Sequence, residues 1–165
     1  EQILRAVSAG ADFIIGETYH DFGEAKLALE MMKLYGQGLP TAITLSQYGA
    51  LGETSEDNIS IIEACAQLRD MGATVVGLNC SLGPATIIPQ MRELKKAVNG
   101  PLACLPVGYS TNNEFPQWHL FKVPQTGEPA FTENLDPFSC NLYEISDFGR
   151  ACQEIGVQYV GKPKH

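Results

Sequence analysis

The chain has 165 residues, 18% of them charged and 44% hydrophobic, proportions that fit one globular domain over residues 1–165 and exclude a disordered chain. Its formal net charge of −8 would repel phosphate backbones and anionic headgroups, so neither nucleic acid nor a membrane surface is an expected partner. No apolar run reaches the ~18 residues that span a bilayer, and Glu1 to Arg5 lacks the basic and apolar regions of a signal peptide; a soluble, cytoplasmic protein is expected.

In chain order, a helix near Glu1 to Ala9 ends at Gly10 and is followed by a strand, Asp12 to Gly16. Residues Phe22 to Tyr35 then place Ala25, Leu27, Ala28, Leu29, Met31 and Met32 around one broad face with Glu24, Lys26, Glu30 and Lys33 towards water, which predicts an amphipathic helix. A second strand, Pro40 to Leu45, leads to a helix from about Ser55 to Met71, opened by a capping pattern of Ser55 with Asn58 and closed by Gly72. The third strand, Ala73 to Asn79, precedes a helix that starts at Pro84 and stops at Asn99-Gly100. Beyond the fourth strand, Pro101 to Pro106, comes a helix from Leu142 to Ile155 that stops at Gly156 and feeds a fifth strand, Val157 to Gly161.

These strands are nearly continuous in apolar character, as strands buried on both faces are, and their alternation with helices predicts an α/β fold with a parallel sheet. Two architectures accept the pattern: an open doubly wound sheet and part of a (β/α)8 TIM barrel, which typically needs ~250 residues. Length favours the open sheet, yet Gly16-Glu17-Thr18-Tyr19-His20 is not the Gly-rich phosphate turn of a nucleotide enzyme.

The segment 110–138 breaks the rhythm. Its four prolines are interspersed with Phe115, Trp118, Phe121, Phe131 and Phe138, and so many aromatics predict a packed, ordered loop of the kind that covers binding sites. The five cysteines form an odd number with no Cys-x-x-Cys pair, so free thiols are expected, with Cys65, Cys104 and Cys152 as small buried apolar residues.

Ligands of parallel α/β proteins lie at the carboxyl ends of the strands, which directs attention to Glu17, Ser46 with Gln47, Asn79 with Cys80, and Pro106 to Tyr109. Glu17 has the chemistry to hold an ammonium group or act as a base, and equally that of a surface acid. Cys80 lies between a strand end and a helix start, where a thiol is readily ionised.

Asp12-Phe13-Ile14-Ile15-Gly16-Glu17, Gly77-Leu78-Asn79-Cys80, Pro106-Val107-Gly108-Tyr109 and Gly156 to Gly161, taken in order, resemble the zinc-dependent homocysteine S-methyltransferases. The resemblance implies the last five βα units of a (β/α)8 barrel, about strands 4 to 8, and methyl transfer from betaine or a similar onium donor to homocysteine to give methionine. It also implies one zinc ion held by three cysteines, of which Cys80 matches the first, and Glu17 matches the acid that holds the substrate amino group. A quaternary ammonium donor is recognised by aromatic faces, and Tyr19, Tyr109 and Trp118 stand near strand ends or in the long loop.

After Val160-Gly161, where the family continues Gly-Cys-Cys-Gly, this chain reads Lys162-Pro163-Lys164-His165, and the resemblance lacks the first three βα units. The chain as given is therefore expected to be inactive by itself and to need oligomerisation or completion by further segments, since a partial barrel exposes sheet edges. Two other readings are a non-catalytic binding or structural module derived from the barrel, and an open-sheet enzyme with Cys80 as nucleophile.

Overall fold

The computed structural model describes residues 1–47, 59–131 and 133–161. Helix α1 (Gln2–Ser8) precedes β1 (Ile14–Tyr19), α2 (Phe22–Tyr35), β2 (Thr41–Leu45), α3 (Ile61–Asp70), β3 (Val75–Asn79), α4 (Pro84–Ala97), β4 (Leu102–Leu105), α5 (Leu142–Ile155) and β5 (Tyr159–Val160). The helix boundaries follow local chemistry. Asp21 accepts the Glu24 amide at 3.0 Å to open α2, Asn141 and Glu144 form a reciprocal capping box on α5, and Gly156 closes α5 in the left-handed conformation at φ +79°.

Two boundaries differ from the sequence pattern. Helix α3 starts at Ile61, where the Ser60 side chain accepts the Glu63 amide at 3.2 Å; the Ser55–Asn58 pattern lies outside the described residues, as does Lys162 to His165. Strand β1 runs on to Tyr19, three residues beyond the expected Gly16, because an irregularity in its pairing lets the ladder resume.

All five strands are parallel, in the order β1-β2-β3-β4-β5, with every pair formed between consecutive strands. A doubly wound sheet reverses its strand order at a switch point; this one does not, and the topology is that of consecutive units of a (β/α)8 barrel. The open-sheet alternative is thereby set aside, and the partial barrel holds.

Alternation along each strand divides the sheet into two faces. Ile14, Ile43, Leu45, Val76, Leu78 and Leu102 point into the helical layer and pack with Leu29, Leu68, Met91 and Leu94 in one continuous core. Each fully buried side chain of this size contributes ~1.5–3 kcal/mol. The opposite face carries small residues, among them Ala42, Gly77 and Ala103. At Gly77 a Cβ would lie 2.0 Å from the Ala103 carbonyl oxygen, so only glycine allows β3 and β4 to approach this closely.

Candidate functional site at the strand ends

The carboxyl end of β1 is built on a bulge. Gly16 pairs with Ile43 and Tyr19 with Leu45, so Glu17 and Thr18 together stand opposite the single residue Thr44. Thr18 adopts φ +68°, a left-handed conformation uncommon for a β-branched residue. Its amide donates to Asn79 Oδ1 at 3.1 Å, and Asn79 Nδ2 donates to Thr18 Oγ1 at 2.6 Å. Asn79 ends β3, two strands away, so its buried side chain reaches past the end of β2. The extra residue leaves Glu17 solvent-exposed at the mouth of the sheet, and the buried Thr44 hydroxyl opposite the bulge has no hydrogen-bond partner among the described residues.

Cys80 follows Asn79 directly. It and Ser81 both adopt left-handed backbone conformations, at φ +57° and +49°, and the Cys80 amide donates to the Leu105 carbonyl at 3.0 Å. Two successive non-glycine residues in this region store strain of the kind that collects at functional sites. The Ser81 hydroxyl meets the Ser46 hydroxyl at 2.9 Å in a buried contact, and the Ser46 carbonyl lies 2.9 Å from His20 Nδ1. Gln90 Nε2 donates to Gln47 Oε1 at 2.7 Å. The half-buried Cys80 thus stands on a polar platform made from the ends of three strands.

The segment 110–138 forms the far wall. It packs around Phe121, 1% exposed, whose ring stacks on Phe138 at 4.3 Å and meets Phe115 at 6.1 Å. Two short 3-10 turns, Trp118–Leu120 and Asp136–Phe138, add to this packing. The Trp118 amide donates to the Ser81 carbonyl at 3.1 Å, which seats the loop immediately after Cys80. Trp118 stacks on Tyr109 with centroids 5.7 Å apart and planes inclined by 10°. That separation leaves no room for a cation between the two rings, so a cation would have to meet the pair from outside. Burial pushes the neighbouring His119 below the ordinary imidazole value.

Glu17, Cys80, Tyr109 and Trp118 are therefore linked through their immediate neighbours at one end of the sheet. Tyr19 is placed differently: a Cβ on Gly16 would meet its hydroxyl at 2.7 Å and Met32 Cε at 2.7 Å, so the ring lies on the side of β1 that faces α2. There burial, with the nearby Glu24 carboxylate, raises the phenol above its usual value. Thr18, Ser81 and the bulge carry no motif of their own, and only their places beside Glu17 and Cys80 mark them.

Among the described residues no group of three or more His, Cys, Asp or Glu side chains is arranged to hold a metal ion. Cys65, Cys104 and Cys152 are buried in the core, and burial pushes the Cys65 thiol up to about 12. Cys140 borders cavities of about 270 and 350 Å³ beside α5, neither of which is lined by Cys80. A catalytic zinc site takes about three protein ligands, and the described residues hold no such group at Cys80. No helix among the described residues is long and apolar enough to cross a membrane.

The family model for homocysteine S-methyltransferases matches residues 1–161. Betaine–homocysteine S-methyltransferase 1 of Xenopus laevis is 26% identical over 160 residues, covering 94% of this chain and 37% of the relative. The S-methylmethionine–homocysteine S-methyltransferase BHMT2 of Rattus norvegicus is 27% identical over 158 residues, covering 91% of this chain and 40% of the relative. Among solved structures, the apo form of the homocysteine methyltransferase MmuM from Escherichia coli superposes with a TM-score of 0.61 at 16% identity, over 94% of this chain and 45% of that one. The chain thus spans about two-fifths of the length of the curated relatives it matches.

Proposed function

The chain belongs to the homocysteine S-methyltransferase family, and we propose that the polypeptide containing it transfers a methyl group from betaine, or a similar onium donor, to homocysteine. Relatives named for both betaine and S-methylmethionine support an onium donor. The observation that carries the reading is the stitch between Thr18 and Asn79, which ties the strand end bearing Glu17 to the one bearing Cys80. A zwitterionic amino acid with a thiol side chain suits that pair. Its ammonium would be held by the Glu17 carboxylate and its sulfur placed towards Cys80.

Cys80 is read as one ligand of a zinc ion whose remaining ligands come from outside the described residues; a bound zinc would keep the substrate sulfur ionised at neutral pH. With betaine as donor, the sulfur forms its bond to the methyl carbon as the carbon–nitrogen bond breaks. The electron pair returns to nitrogen, leaving methionine and a neutral tertiary amine. The outward faces of Tyr109 and Trp118 would attract the donor's positive charge, and that charge disappears as the methyl leaves.

Because Cys80 is one ligand of a set, the 165 residues alone are expected to be inactive, and further βα units or another copy must complete the barrel. The free thiols fit a reducing compartment such as the cytoplasm. The test is methyl transfer to homocysteine from radiolabelled betaine or S-methylmethionine, by the longer polypeptide and by this chain. Activity of the longer form with betaine, lowered at least ~100-fold by Cys80→Ala, is the expected result. No transfer from either donor would overturn the reading, and full activity of the 165 residues would overturn the expected inactivity.

A further inference from the structure

We propose that Asn79 is a positioning residue that holds the β1 bulge in shape and so aims the Glu17 carboxylate, an inference that rests on the reading of Glu17 as the ammonium-holding group. The ladder between β1 and β2 leaves a gap at this point, because Glu17 and Thr18 face the single residue Thr44. A bulged residue has lost its ladder partner, which leaves the Thr18 amide outside the β1–β2 ladder and open to another acceptor. Asn79 Oδ1 accepts it at 3.1 Å, while the other end of the same amide group donates to Thr18 Oγ1 at 2.6 Å. The two bonds hold Thr18 at φ +68°, and the Thr18 backbone sets the direction of the preceding Glu17.

The choice of residue is specific. An amide side chain donates from one atom and accepts at another, and Asn79 is 2% exposed, so its orientation is set by packing. Asn79 is also covalently joined to Cys80. One side chain therefore determines the separation between the two strand ends that would grip opposite ends of an amino-acid substrate. Asparagine at this place acts on the geometry of Glu17 without itself touching the substrate.

The test compares Asn79→Ala, Thr18→Ala, Thr18→Ser and Glu17→Gln in the zinc-loaded polypeptide that carries this chain. Dissociation constants are measured for homocysteine and for 4-mercaptobutanoate, which has the same thiol and carboxylate but no amino group. The preference for homocysteine reports the ammonium contact. Asn79→Ala and Thr18→Ala are expected to reduce that preference about tenfold, as Glu17→Gln does, with 4-mercaptobutanoate binding unchanged and Thr18→Ser close to the parent. Equal weakening of both thiols by Asn79→Ala and Thr18→Ala would overturn the proposal, since the defect would then lie at the sulfur end. If Glu17→Gln leaves the preference intact, the reading of Glu17 fails instead.

The clamp itself is judged separately, by amide hydrogen exchange at Thr18 in the unliganded protein. Protection in the parent that is lost in Asn79→Ala supports it, and equal exchange in both overturns it whatever the ligand data show. Thr18 lies at the surface, so its variants keep the test open if Asn79→Ala does not fold.

Discussion

Ser46 and Ser81 face each other across the ends of β2 and β3 with their hydroxyl oxygens 2.9 Å apart, both side chains buried. One hydroxyl donates and the other accepts, so each satisfies a group that burial would otherwise strand. Ser46→Ala or Ser81→Ala alone should destabilise the chain by ~1–3 kcal/mol, while the double substitution should cost less than the sum of the two. Urea unfolding of the four proteins measures the coupling, and strict additivity would show that the two hydroxyls do not interact.

At the opposite end of the sheet, Arg69 spans the starts of two strands. Its guanidinium donates to the carbonyls of Ala73 at 2.7 Å, Thr74 at 2.6 Å and Asn99 at 3.0 Å, tying the end of α3 to the turns that open β3 and β4. Arg69→Ala should lower unfolding stability by ~1–3 kcal/mol. Arg69→Lys should recover only part of this, because an ammonium lacks the planar fork that reaches three acceptors. Full recovery by lysine in thermal unfolding would mean that charge, not geometry, is what matters there.

Burial pushes the Cys65 thiol from about 9 in the unfolded chain to about 12 in the folded one. The folded state therefore holds the Cys65 proton more tightly. The stability gained by burying a neutral thiol is intact below pH 9 and is lost as the pH climbs towards 12. Cys65→Ala should flatten that alkaline decline in a pH series of unfolding midpoints. An unchanged slope would assign the decline to other groups.

The sheet was legible because its strands are apolar on both sides and its helices carry period-3.6 faces. Phe22 to Tyr35 and Leu142 to Ile155 form helices with the bounds the pattern predicts, since Asp21, Asn141 and Gly156 are strong local signals. Strand order was not legible from composition or length, which favoured an open sheet; consecutive pairing decided it. At the site, Glu17, Asn79 and Cys80 could be singled out because strand ends are where such folds bind ligands. The bulge could not, since it depends on register between β1 and β2, and no residue type at Thr18 announces a left-handed conformation. Tyr19 illustrates the same limit. The extra residue in the bulge changes which side of the strand its ring occupies, and alternation counted along the sequence cannot register that shift.

The long loop leaves and re-enters the fold at nearly one point. The Ser110 amide donates to the Phe138 carbonyl at 2.8 Å and the Cys140 amide to the Gly108 carbonyl at 2.9 Å, so its two stems are clasped together. Between the stems, Phe121 and its neighbouring rings give the insert a small core of its own. A segment of that construction is a cassette. Inserts of other lengths and sequences can be grafted onto the same clasp at little entropic penalty, since closure over a longer loop grows only logarithmically. A different insert would sit on the same clasp with the ends of β1 and β3 left untouched.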